Sequence, residues 1–152
     1  KVKEQNDEDK AGAGFTGRKI KAYDKLELTD EQQKVLAALR QNCVEETLWS
    51  AIAAFQNYPF RTASGLPYQY KLKIGKDGTY NKELLIDRRE NSKTLSWSSI
   101  KMAFQNCRQI SGIVKRPKAL GDIRGISYIY PLFWKFGLIE VPEETAKKMG
   151  GE

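Results

Sequence analysis

Tyr68-Gln69-Tyr70-Lys71-Leu72-Lys73-Ile74 alternates large apolar with polar side chains. A period of two is the mark of a half-buried strand, because successive side chains point to opposite faces. Gly75-Lys76-Asp77-Gly78 follows with turn chemistry. Leu84-Leu85-Ile86 then supplies a return strand, extending from about Tyr80 to Arg88. The stretch therefore predicts a β-hairpin with one apolar face to pack on helices. Its other face, carrying Lys71 and Lys73, should meet water or a ligand. Helical patterns lie on both sides of this hairpin, so the fold class is α+β.

Upstream, Thr29-Asp30-Glu31-Gln32 fits a capping box, with Thr29 as N-cap and Gln32 reaching back to it. Asp30 and Glu31 suit the positive end of a helix dipole. Val35, Leu36, Leu39 and Cys43 recur at helical spacing, followed by Val44, Leu48, Ile52 and Phe55. These describe either one helix to about Gln56 or a pair broken near Asn42–Glu46. Tyr58-Pro59-Phe60 ends the helical run, since a residue before proline avoids the α region. Residues 1–22 mix charge and glycine without an apolar period and read as a disordered tail or linker.

Downstream, Arg88-Arg89-Glu90-Asn91-Ser92-Lys93 reads as a polar loop. A helix begins near Ser96, with Thr94 or Ser96 as N-cap and Trp97, Ile100, Phe104, Cys107 and Ile110 as its apolar stripe. Ile113-Val114 is a short extended stretch. Pro117 suits the first position of a short helix through Leu120. A further helix is expected from about Ser127 to Phe136, with Pro131 confined to its first turn. Gly137 then ends it and Leu138–Val141 forms a short strand. The domain is bounded as 23–142, with 143–152 a C-terminal tail.

Phe133-Trp134-Lys135-Phe136-Gly137-Leu138-Ile139-Glu140 resembles the exit of the recognition helix in winged helix-turn-helix domains. There a glycine and a hydrophobic strand carry the chain into the wing. The resemblance covers the C-terminal third and implies DNA binding through a three-helix unit. The helix itself, with Ile126, Tyr128, Ile129, Tyr130, Leu132, Phe133, Trp134 and Phe136, is hydrophobic nearly all round and reads as buried.

Composition narrows the chemistry. The chain has 152 residues and no histidine, which removes Ser-His-Asp and Cys-His nucleophile systems and imidazole general bases. Two cysteines, Cys43 and Cys107, are too few for a Cys-only zinc site. Both lie on apolar stripes and read as reduced, buried thiols, which points to the cytoplasm. No apolar run approaches the roughly 18 residues of a membrane span, and residues 1–25 show no signal-peptide core. No cofactor or metal is expected.

The net charge is +7. Residues 61–125 hold fourteen basic and five acidic side chains, a net +9, between segments of −2 (29–60) and −1 (126–152). Such a block concentrates polyanions. The expected function is that of a small, non-enzymatic DNA-binding regulatory protein of bacterial type, with DNA ahead of RNA. Phosphate contacts would come from Lys71, Lys73, Arg88, Arg89, Lys93, Lys101, Arg108, Lys115, Arg116, Lys118 and Arg124. Tyr68, Tyr70, Tyr128 and Tyr130 are either base-stacking groups or core residues. Thr62-Ala63-Ser64-Gly65 is a plain loop or a backbone-amide cradle for phosphate. Two other readings stand beside this one: a protein-interaction module with an acidic partner, and a metal-dependent nuclease using Asp77, Glu83, Asp87 and Glu90.

Overall fold

A computed structural model of the chain describes residues 27–87 and 93–150. The side chains of Tyr80 and Lys93 are outside that description. The tail assigned to 1–22 and the basic pair Arg88-Arg89 lie outside the described residues.

The helical run is two helices. α1 (Asp30–Gln41) starts on the expected capping box: Thr29 Oγ1 accepts from Gln32 N at 3.1 Å, and Gln32 Oε1 accepts from Thr29 N at 2.9 Å. The chain breaks at Asn42–Val44 and resumes as α2 (Glu45–Ala54). Thr47 holds the break, accepting from Val44 N and donating to Asn42 O at 2.6 Å. Gln32 Nε2 donates to Ala54 O, tying the start of α1 to the end of α2.

Four antiparallel strands follow: β1 (Phe60–Arg61), β2 (Pro67–Ile74), β3 (Tyr80–Asp87) and β4 (Lys93–Ser96), paired in chain order. The predicted hairpin is β2–β3, with Tyr70 opposite Ile86 and Leu72 opposite Leu84. Lys93, expected in a polar loop, begins β4 and pairs in register with Ile86. β4 contains one buried apolar side chain, Leu95, too few to reveal a period. The alternation along β2 is realised as burial: Tyr68, Tyr70 and Leu72 are buried, whereas Gln69 and Lys71 are exposed. Ile74, at the end of the strand, is exposed rather than packed.

The buried face of the sheet is held by hydroxyls as well as by apolar contact. Tyr70 Oη donates to Ile52 O on α2 at 2.7 Å, and Tyr68 Oη donates to Tyr128 O at 2.9 Å. Phe55, Tyr58, Phe60, Tyr68 and Tyr70 form a chain of ring contacts between α2 and β2. Such pairs add about 0.5–1.5 kcal/mol each beyond the area they bury.

α3 (Trp97–Cys107) is capped by Ser96, whose Oγ accepts from Ser99 N at 3.1 Å; Thr94 plays no part in the cap. A 3₁₀ helix (Pro117–Leu120) leads to α4 (Ile126–Lys135), which runs through the core. Tyr128 packs on Tyr68, Phe133 on Phe104, and Phe136 at its end on Phe55. Pro131 is the sixth of its ten residues rather than a first-turn residue. The ring removes the N–H that would pair with Ser127 O, and Ser127 is the one exposed residue of α4.

The helix exit carrying the winged-helix resemblance is present as a Schellman turn, with Gly137 N on Trp134 O and Leu138 N on Phe133 O. The strand expected at Leu138–Val141 is reduced to one parallel bridge, Ile113 to Glu140. α4 is enclosed on nearly every side and presents no polar face to a groove. Residues 143–152, expected as a tail, instead include α5 (Glu143–Lys148) and bury Met149.

Candidate functional site

The segment joining α3 to α4 is pinned to the core at intervals and shows its basic side chains between the pins. Val114 is 2% exposed; its N–H donates to Glu140 O at 2.7 Å, and its carbonyl accepts from Tyr130 Oη. Leu120 is fully buried, and its carbonyl accepts from Asn106 Nδ2 at 2.7 Å. Ile123 and Ile126 are the next buried positions. Lys115, Arg116, Lys118 and Arg124 are all exposed. Among the described residues no carboxylate is placed to form an ion pair with any of the four. An anchored backbone thus displays four exposed cations, with Asp122 the only acidic side chain between Val114 and Ile126.

The other expected contacts are spread elsewhere. Lys71 and Lys73 share the open face of the sheet with an equal number of carboxylates, Glu83 and Asp87. Lys73 Nζ lies 3.4 Å from a Glu83 carboxylate oxygen. Lys101 and Arg108 fall on the flank of α3 that carries Trp97, while Ser99 and Asn106 occupy its opposite flank. Arg108 lies over the Phe104 ring, 5.3 Å from its centroid. Arg88 and Arg89 lie outside the described residues, as does the Lys93 side chain. Among the described residues, the cations of the +9 block are therefore divided between the open sheet face, α3 and the α3–α4 connection.

The four tyrosines are core residues: Tyr68, Tyr70, Tyr128 and Tyr130 are each at most 9% exposed. Burial pushes the hydroxyl pKa of Tyr68 and Tyr70 well above the ordinary range, with Tyr70 and Tyr128 adding to the effect at Tyr68. Burial pushes Tyr130 up to about 12. All three stay protonated donors, and none offers a ring to a base. In the Thr62–Gly65 loop, Thr62 N donates to Leu66 O and Gly65 N to Thr62 O, while Leu66 N donates to Thr62 Oγ1, so two of its four amides are used in making the turn into β2. Of the acidic residues considered for a nuclease, Asp77 accepts from Thr79 N and Oγ1 within its turn, which holds its carboxyl below the usual range. Glu83 and Asp87 line the open sheet face, and Glu90 lies outside the described residues. Among the described residues no three His, Cys, Asp or Glu side chains are grouped to hold a metal ion.

Two clefts flank α3. One, of about 750 Å³, opens between β4 and the starts of α3 and α4; Thr94, Ser96, Ser99 and Ser127 line it with Arg124 and Glu83. The other, of about 440 Å³, is lined by Val44, Glu45, Glu46, Lys82, Trp97 and Arg108. Its one lining indole, Trp97, meets Trp49 edge to face with centroids 5.1 Å apart. Lys82 Nζ sits 5.1 Å from one ring centroid and 5.3 Å from the other. Sequence reasoning passed over Lys82 and Trp49. The available signal was parity: Lys82 shares its side of β3 with the buried Leu84 and Ile86, so a lysine there must reach past an apolar face.

No protein-family model, curated protein or solved structure matches this chain. No helix among the described residues is long and apolar enough to cross a membrane.

Proposed function

We propose that this protein is a non-enzymatic nucleic-acid-binding protein, regulatory in kind and with DNA ahead of RNA as its partner. The observation that carries the reading is the pinned connection from α3 to α4, with Lys115, Arg116, Lys118 and Arg124 exposed and free of carboxylate partners among the described residues. Binding is electrostatic capture: cations on a fixed backbone replace the counterions condensed on phosphates. Because Val114 and Leu120 anchor that backbone, little chain entropy is lost on binding. Lys71 and Lys73 contribute less, being balanced by Glu83 and Asp87. The two free thiols, Cys43 and Cys107, support a cytoplasmic setting.

The test is polarisation binding of labelled duplex DNA, single-stranded DNA, RNA and an acidic peptide at low ionic strength. The proposal expects nucleic acid to bind and its affinity to fall log-linearly with salt. Binding of the acidic peptide alone would overturn it in favour of a protein partner, and no binding at low salt would overturn both.

A further inference from the structure

We propose that the cleft beside Trp49 and Trp97 is a stacking site for an unpaired nucleobase of single-stranded nucleic acid, with guanine preferred. The proposal rests on the nucleic-acid reading and adds to it the strand form and the base. Its volume of about 440 Å³ lies within the roughly 300–1,000 Å³ of small-molecule sites. Neither Trp49 nor Trp97 is fully buried, in contrast to the four tyrosines, so their indoles are partly open beside the cations of the cleft.

The charges around the cleft are arranged for a ligand of two characters. Lys82 and Arg108 supply cations, while Glu45 and Glu46 at the start of α2 supply carboxylates. Among the described residues none of these four forms an ion pair. A phosphate alone would be repelled by the glutamates, and a cation alone by Lys82 and Arg108. A nucleotide satisfies both: its phosphate meets the cations and its base donors meet the carboxylates. Ionised carboxylates only accept hydrogen bonds. Guanine offers adjacent N1–H and N2–H donors that match the two oxygens of one carboxylate. Thymine offers a single N3–H between two carbonyls, which face a carboxylate unfavourably.

Lys82 holds the place in the free protein. Its ammonium lies against both indoles, and Lys82 itself is exposed. An exposed cation–π contact is weaker than base-on-indole stacking, so a base displaces the ammonium, which swings on its flexible stem to the phosphate. Duplex DNA cannot use the cleft, because its bases are stacked and their pairing edges occupied.

The experiment measures binding of the full chain to a single-stranded oligonucleotide of alternating guanine and thymine, to oligothymidine, and to a duplex of equal length. Trp97→Ala should weaken the guanine-containing strand about 5- to 150-fold, the range that follows from about 1–3 kcal/mol per stacked base, and leave duplex binding within about twofold. Circular dichroism checks that this variant is folded. A Glu45→Gln, Glu46→Gln double variant, altered only at exposed positions, should lose the preference for guanine over thymine while keeping its fold. If both variants bind every strand as the parent does, the cleft is no base site, although the nucleic-acid reading stands. If the parent binds no nucleic acid at low salt, both proposals fall.

Discussion

Gly125 and Gly137 have almost the same backbone conformation, φ +80° and +81°, in different surroundings. A non-glycine residue held in the left-handed region costs about 1–2 kcal/mol. At Gly137 an added Cβ meets nothing within 4 Å, so that cost should be the whole effect of Gly137→Ala. At Gly125 the same methyl would stand 2.5 Å from Leu95 Cδ1. Leu95 is 2% exposed and pairs across the sheet with Leu84, so its terminal methyl must shift against packed neighbours along the wall of the larger cleft. Overpacking of this kind adds about 1–3 kcal/mol, bringing Gly125→Ala to about 2–5 kcal/mol. Equilibrium urea unfolding of both variants, with unchanged slope, gives the comparison. A Leu95→Ala change in the Gly125→Ala background should cost less than in the parent, because the clash is then gone. Equal losses for the two glycine variants, or strict additivity with Leu95→Ala, would refute the packing argument that seats the start of α4 against β4.

The remaining predictions concern the anchors of the basic connection and the buried groups. Tyr130→Phe removes the donor to the Val114 carbonyl and should cost about 1–3 kcal/mol of stability in urea unfolding. Burial pushes the Cys107 thiol up to about 11, with Cys43 adding to the shift. Since the folded value lies above the unfolded one, this group's contribution is full below the ordinary thiol range and is lost as pH rises toward 11. Unfolding midpoints should therefore fall over that alkaline window, and Cys107→Ala should fall less steeply. Asp77 is shifted the other way by its Thr79 hydrogen bonds, so Thr79→Val should raise its carboxyl titration as followed by NMR.

The hairpin, the capping box at Thr29 and the burial of α4 were legible because each rests on local periodicity or local hydrogen bonding. β4 was not, since a four-residue edge strand with one buried leucine has no period to read. α5 was missed for a related reason: six mostly charged residues look like a tail until Met149 is seen in the core. Pro131 was placed in a first turn by a sound local rule, which gave way where the lost helical bond is that of exposed Ser127. In the candidate site, Lys115, Arg116 and Lys118 stood out by sequence proximity. Trp49, Lys82 and Trp97 belong to α2, β3 and α3, and only tertiary packing brings them together.

The central claim is that the connection from α3 to α4 captures phosphates with Lys115, Arg116 and Lys118. It is tested most directly by the slope of log affinity against log salt for DNA binding, in the parent and in a Lys115→Ala, Arg116→Ala, Lys118→Ala variant. With about 0.7–0.9 counterions released per phosphate contact, the variant's slope should be shallower by about 2–3 units. A slope unchanged by removing all three cations would contradict the claim.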